Sequence, residues 1–156
     1  MQTKLRWIAI IIALIFIGLQ FTSPARTNPP IDEMQAIERT VNVPPEVARI
    51  LARSCNDCHS NKTEWRWYTH VAPISWFTVG HVTQGRAELN FSEWGGYGAR
   101  MKETRLKAIC YHVKHRSMPL PSYTLMHREA QLSEDEIRAI CEWTRSQAAD
   151  STQAGH

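Results

Sequence analysis

The sequence predicts an all-α fold, in which one helical domain follows an N-terminal apolar helix. The apolar residues between Leu106 and Val113 recur at i, i+3, i+4 and i+7, the spacing of one buried helix face. Ser133 and Glu136 form a capping box, which is typical of the start of a helix. No segment shows the sustained apolar–polar alternation of a half-buried strand, so the sequence favours helices throughout.

Length and composition limit the classes of protein to which the chain can belong. Its 156 residues suit one domain plus a tail, and 43% apolar residues exclude wholesale disorder. With a net charge of only +3, the chain lacks the dense basic surface that is typical of a nucleic-acid-binding protein. We expect a signal anchor or signal peptide over 1–22, an extended proline-containing linker over 23–44, the helical domain over 45–148 and a disordered tail over 149–156.

The N-terminal segment indicates export. Lys4 and Arg6 precede Trp7–Phe21, a largely apolar run of fifteen residues. As a helix this run rises roughly 22 Å, short of the ~30 Å hydrocarbon core, which favours a signal peptide. The absence of a clean cleavage site at Ser23-Pro24-Ala25 favours a retained anchor instead. The basic start keeps the N-terminus in the cytoplasm. We therefore expect a single-pass protein of the cytoplasmic membrane with its domain on the periplasmic side, or a free periplasmic protein if the segment is cleaved.

The first half of the domain contains two expected helices. Pro45–Ser54 reads as a short amphipathic helix, with proline in the first turn where its missing N–H costs little. Residues 60–72 read as irregular. Pro73 opens a second helix, for which Gly85 is the expected C-terminal stop. Residues 86–98, rich in glycine, are expected to form a loop.

The second half contains the helix through Leu106 and Val113 and the last helix, which begins at the Ser133 capping box; a proline-containing segment joins the two. Met118–Pro121 has two prolines and is expected to be extended. Three histidines are expected at the surface: His112, His115 and His127.

The motif Cys55-Asn56-Asp57-Cys58-His59 carries the chemistry. Two thiols three positions apart on one helical turn can add to the two vinyl groups of a haem, and the adjacent imidazole then points at the iron. The motif predicts one covalent haem c, attached through Cys55 and Cys58, with His59 as the proximal ligand.

Three other interpretations compete for the same motif. A thioredoxin-like redox pair belongs in a βαβ context, which the sequence lacks. A structural zinc site needs a second closely spaced pair, whereas Cys110 and Cys141 lie far apart. A disulfide between Cys55 and Cys58 is sterically poor and leaves His59 unexplained.

A six-coordinate haem needs a second axial ligand, for which Met118 is the leading candidate. Pro119 and Pro121 stiffen the chain around it, and a thioether paired with imidazole suits reversible one-electron transfer. The alternatives are Met126, His81, His70, or an open or water-bound site.

The order of these elements resembles that of class I c-type cytochromes, and more closely that of a family of exported bacterial proteins known as the haem-binding domain family. The resemblance covers about residues 20–146. It is carried by Ser54-Cys55 through Cys58-His59-Ser60-Asn61, Trp65-x-Trp67-Tyr68, Val71-Ala72-Pro73, His81-Val82, Gly85-Arg86, Asn90-Phe91-Ser92-x-Trp94 and Met118-Pro119-Leu120-Pro121-Ser122-Tyr123. It implies a c-type haem, a small cytochrome c-like helical fold and an N-terminal membrane anchor.

These observations predict a monohaem c-type cytochrome that carries single electrons between redox partner proteins, rather than an enzyme. The alternative is a haem-based ligand sensor or peroxidase-like enzyme with a labile sixth ligand, in which His81 or Arg86 would act as the distal acid–base group. A third possibility is an exported thiol–disulfide protein. Cys110 and Cys141 lie on apolar helix faces that flank Met118, and are expected either to form a disulfide or to remain two buried thiols.

Overall fold

The computed structural model describes residues 1–153, with side chains described through residue 149. Within this range every regular element is helical, which confirms the predicted fold class. The α-helices are α1 (Gln2–Gln20), α2 (Ile37–Thr40), α3 (Pro45–Ser54), α4 (Asn56–His59), α5 (Ile74–Glu88), α6 (Ala99–Lys114), α7 (Pro121–Met126) and α8 (Glu134–Gln153). Short 3₁₀ helices lie at Glu33–Gln35, Trp67–His70, Phe91–Gly96 and Arg128–Ala130.

The apolar helix α1 is longer than the predicted apolar run. It has 19 residues, so it rises about 28 Å, close to the thickness of a bilayer core. Its mean hydropathy is 1.7, and none of its residues is fully buried, although Leu19 and Gln20 at its end are partly covered. Among the described residues it is the one helix long and apolar enough to cross a membrane, and a signal sequence would meet the same criteria.

The core of the domain lies between α3, α6 and α8. The predicted helix Pro45–Ser54 is confirmed, and so is the buried face of α6. Helix α8 begins with the predicted capping box: Ser133 Oγ accepts from the Glu136 N–H at 3.2 Å, and Glu136 Oε2 accepts from the Ser133 N–H at 2.9 Å. The buried apolar residues of these three helices include Val47, Ile50, Leu51, Leu106, Ile109, Val113, Ile137, Ile140 and Trp143.

The segment 23–44 is extended only in part, because it packs against the domain. Ile37 in α2 is fully buried in the core. Asp32 caps the first 3₁₀ helix by accepting from the Met34 N–H, and the Trp143 indole donates to the Asn42 carbonyl at 3.0 Å. The prolines of this segment predict an extended linker. Instead, the buried side chain of Ile37 and the hydrogen bonds of Asp32 and Asn42 hold part of the segment in a folded conformation on the domain.

Three helix boundaries differ from the predictions. Helix α5 continues through Gly85 to Glu88, because that glycine serves a close contact rather than a helix end. Pro121 begins α7 instead of lying in an extended segment, since a proline in the first turn loses no hydrogen bond. Helix α8 continues to Gln153, so the predicted tail begins inside a helix, and residues 154–156 lie outside the described residues.

A disulfide joins α6 to α8, the two helices that pack most extensively on each other. It links Cys110 to Cys141 and closes a loop that contains Met118. The sequence leaves open whether this pair forms a disulfide or remains two buried thiols; in the structure it forms the disulfide.

Replacing both Cys110 and Cys141 with serine should lower the free energy of unfolding by about 2–4 kcal/mol, because the closed loop restricts the unfolded chain. Denaturant titration of the detergent-solubilised full chain measures this loss. Dithiothreitol should produce a similar loss in the wild type and none in the double variant. Equal stability of the wild type with and without reductant would contradict the prediction.

Candidate functional site

The C-x-x-C-H motif forms a single turn at the end of α3. Cys55 leaves the helical conformation, with φ −129° and ψ −39°, and so separates α3 from α4. Its carbonyl accepts from the backbone N–H groups of Cys58, at 3.1 Å, and His59, at 3.0 Å. Within this one turn, the side chains of Cys55, Cys58 and His59 all line the same cavity.

The imidazole of His59 is oriented by the end of α5. Its Nδ1 lies 3.0 Å from the carbonyl oxygens of both Gly85 and Leu89. Because carbonyl oxygens only accept, Nδ1 carries the proton and Nε2 is the unprotonated nitrogen of the neutral ring. Burial lowers the pKa of His59, and the bonds to Leu89 and Gly85 oppose that shift. This tautomer leaves Nε2 available to ligate a metal.

Gly85 allows α5 to lie directly against the motif. A Cβ on Gly85 would sit 2.6 Å from the Cys58 carbonyl oxygen and 3.2 Å from the Cys58 Cβ. Only a residue without a side chain permits this approach. The glycine therefore brings its own carbonyl within reach of His59.

Polar contacts hold the chain on both sides of the motif. Asp57 accepts from the Tyr123 hydroxyl at 2.8 Å and from the Glu64 N–H at 3.0 Å. Burial, followed by the charge of Asp57, raises the pKa of Tyr123, which therefore stays a protonated donor. This contact connects the motif to α7, next to the Met118 segment.

The Asn-Phe-Ser-x-Trp segment supports the chain that follows His59. The Asn61 N–H donates to Ser92 Oγ at 3.0 Å, and the Asn90 amide donates to Asn61 Oδ1 at 2.9 Å. All three polar side chains are buried. Between them, Phe91 lies with its ring centroid 6.2 Å from that of His59. This segment, expected to be loop, is a 3₁₀ helix.

Two adjacent cavities surround the motif, with volumes of about 280 and 350 Å³. Their sizes lie near the lower end of the range for cofactor pockets, roughly 300–1,000 Å³. The second is enclosed mainly by α5, α6 and Phe91. Both cavities share the side chains of Ser54, Cys55, His59, Gln84, Glu88, Met118 and Pro119.

Met118 reaches both cavities because α6 ends in a Schellman motif. The Ser117 N–H donates to the His112 carbonyl and the Arg116 N–H to the Val113 carbonyl. Arg116 adopts a left-handed conformation, with φ 55°, at the position where glycine is usual. Its guanidinium donates to the Leu132 carbonyl at 2.5 Å, which fixes this turn against the start of α8.

The other predicted candidates lie elsewhere. Met126 lines a smaller cavity of about 230 Å³, whereas His81 lines both that cavity and the first one. His70 is exposed and lines none of these cavities. Arg86 points away from the cavities, and donates to the Ser60 carbonyl at 2.8 Å and the Thr27 carbonyl at 2.9 Å. These bonds hold the Arg86 guanidinium on the N-terminal segment and on the chain after His59 rather than in the cavities beside the motif.

The expectation that His127 is a surface residue is wrong. Its side chain is buried, its Nε2 lies 2.6 Å from the Tyr68 hydroxyl, and its ring stacks on Tyr123 at a centroid distance of 4.4 Å. The stack on Tyr123 and the hydrogen bond to Tyr68, a residue distant in sequence, explain why His127 is buried although the residues on either side of it are exposed.

Arg105 is a site residue that no pattern in the sequence indicates. It lines the second cavity, and its head group bonds to Glu88 Oε2 at 3.2 Å. Its buried Nε finds no hydrogen-bond partner among the described residues. A buried donor without a partner beside a cavity suits an anionic group of a bound molecule, such as a haem propionate. Nothing in the pattern of charged residues along α6 indicates that Arg105 lines a cavity.

The residues present therefore fit a haem: two thiols and a neutral imidazole on one turn, a thioether, a buried arginine Nε–H without a partner among the described residues, and adjoining cavities. Within the part of the chain whose side chains are described, no group of three or more His, Cys, Asp or Glu is placed to hold a metal ion, as a zinc site would require. Fold and site together define an all-helical haem-binding protein.

Comparison with known proteins agrees with this class. The model of the haem-binding domain family matches residues 14–146, most of the chain, and the chain belongs to that family. No curated protein and no solved structure matches the chain.

Gly85→Ala should lower the free energy of unfolding by about 1–3 kcal/mol, because its Cβ would overlap the Cys58 carbonyl. The matched control is Gly80→Ala on the same helix, where a Cβ meets open space and alanine should stabilise by up to about 1 kcal/mol. Denaturant titration of both variants, with haem content measured alongside, tests the contact. Equal stabilities of the two variants would contradict it.

Proposed function

We propose that the protein is a monohaem c-type cytochrome that carries single electrons in the bacterial periplasm. Its haem is attached through Cys55 and Cys58, with His59 and Met118 as axial ligands. Helix α1 anchors the domain to the cytoplasmic membrane, and other redox proteins are its partners. A haem held by imidazole and thioether supplies reversible one-electron transfer at its iron.

The observation that carries this proposal is the fixed tautomer of His59. The carbonyls of Gly85 and Leu89, at the end of α5, accept the hydrogen bond from Nδ1–H and hold the ring in one orientation beside both cysteines. Hydrogen bonds of this kind orient metal-bound histidines and increase their basicity.

The position of Met118 supports six-coordination. Met118 and His59 line both cavities, whereas Met126 lines neither. The disulfide, the Schellman motif and the Arg116 contact restrict the segment that carries Met118. A restricted ligand keeps the same coordination in both oxidation states, which favours fast electron transfer.

Burial of the two thiols argues against the thiol–disulfide alternative. Burial, the main cause, raises the pKa of Cys55 to about 12 and that of Cys58 to about 11. Both thiols are then protonated at neutral pH, whereas thiol–disulfide exchange requires a thiolate.

One observation favours the second candidate, a ligand sensor or peroxidase-like enzyme. His81 lines the first cavity together with Met118, so an acid–base group lies near the proposed sixth ligand. If the methionine were displaced, this imidazole would be available to a ligand at the iron.

Absorption spectra of the full chain, produced with a cytochrome c maturation system, test the haem and its attachment. We expect haem that resists acid–acetone extraction, because two thioether bonds hold it. Replacing Cys55 and Cys58 with serine should make the haem extractable or absent, whereas the Cys110 and Cys141 double variant should retain it. Colourless wild-type protein would contradict the proposal, and extractable wild-type haem would contradict covalent attachment.

Met118→Ala should open the sixth coordination position. We expect the reduced wild type to be low-spin and not to bind carbon monoxide, and the variant to be high-spin and to bind it. Met126→Ala is the matched control and should keep the wild-type spectrum. Carbon monoxide binding by the wild type would favour the sensor or peroxidase-like function instead.

A further inference from the structure

Exposed apolar side chains cover the beginning of α5. Phe77 is 67% exposed, and Ile74 and Trp76 are also exposed. Two further exposed residues lie on neighbouring segments: Phe21, which precedes the Thr22 carbonyl that the Trp76 indole bonds, and Met126, which lines the same cavity as Ile74 and Phe77. Single apolar residues on a surface are ordinary, but a contiguous group marks an interaction site. We call these five residues the α5 apolar face.

Hydrogen bonds hold this face against the end of α1. The Gln20 side chain accepts from the Ala72 N–H at 3.0 Å and donates to the Ala72 carbonyl at 3.4 Å. The Trp76 indole N–H donates to the Thr22 carbonyl at 3.2 Å. The hydroxyls of Ser23 and Ser75 are hydrogen-bonded at 3.2 Å. The face therefore has a defined position relative to the last turn of α1.

That position corresponds to a membrane boundary. Since α1 rises about 28 Å, a bilayer crossed by α1 would have its outer boundary near Gln20. The indole bond to the Thr22 carbonyl places Trp76 beside the end of α1, and Phe77 is the next residue of α5. Aromatic residues are enriched at this depth of the membrane, where an indole can bury its ring and keep its N–H hydrogen-bonded.

The charge pattern favours lipid over a protein as the occupant. Between Arg66 and Arg86 the sequence contains no Lys, Arg, Asp or Glu. A docking protein is usually steered and oriented by charge complementarity, which this segment does not offer. A bilayer boundary requires only apolar and aromatic surface without buried charge.

We propose that the α5 apolar face lies in the headgroup–acyl boundary of the bilayer, so that the domain rests on the membrane instead of moving freely above it. This inference depends on the proposed anchoring role of α1. Ile74 and Phe77 also form one wall of the 230 Å³ cavity, which Cys58 lines. The Cys58 side of the haem site is therefore the side nearest the lipid.

Spin labelling of Gly80 tests this placement. Gly80 is exposed, has open space where a Cβ would lie, and follows Trp76 and Phe77 by four and three residues on the same helix face. A nitroxide on Gly80→Cys, in the full chain reconstituted into phosphatidylcholine–phosphatidylglycerol vesicles, should be accessible to oxygen and protected from a water-soluble nickel chelate. The control label is on Gly96→Cys, at another exposed glycine with open space.

We expect the ratio of oxygen to nickel accessibility to be several-fold higher at position 80 than at position 96. Adding Trp76→Ser and Phe77→Ser should bring the ratio at position 80 down to that at position 96, while the chain still sediments with the vesicles. Equal ratios in a chain that sediments would overturn this inference and leave the anchoring role intact. A chain that does not sediment would overturn both, and haem absorbance of the same samples reports the haem site separately.

Discussion

The hydrogen bonds from His59 Nδ1 to the last turn of α5 are the interaction on which the rest of the site depends. They require the C-terminal carbonyls of α5 to lie beside the motif, which in turn requires glycine at position 85. The C-terminal end of a helix is a favourable place for an imidazole donor, because its carbonyls lack partners within the helix. The cavity, the tautomer and the orientation of α4 thus follow from one close contact between two helices.

The sequence predicted those parts of the fold that local patterns determine. Helix α3, the buried face of α6 and the capping box of α8 all depend on neighbouring residues, and each is as expected. Because glycine usually ends a helix, the sequence predicts a stop at Gly85, whereas in the structure this glycine makes a contact with Cys58, 27 positions away in the sequence. Long-range contacts of this kind leave no periodic signal.

The site shows the same division. The motif places the side chains of Cys55, Cys58 and His59 together, because the three lie on one turn. Arg105 and the buried His127 could not be identified in this way, since each owes its environment to a segment distant in sequence: Glu88 and the cavity for the arginine, Tyr68 for the histidine. After α6, Arg116 occupies the left-handed position that is usually taken by glycine, so the sequence does not show the glycine that would predict the end of this helix.

Arg86 has a consequence for any attempt to prepare the domain without its apolar helix. Its guanidinium joins the carbonyl of Ser60, just after the motif, to Thr27 and Asn28 in the N-terminal segment. Removing that segment would remove the buried side chain of Ile37 from the core, and Arg86 would lose its acceptors on Thr27 and Asn28. A water-soluble form should therefore start no later than about residue 23, because residues that look like a tether from the sequence are structural parts of the domain.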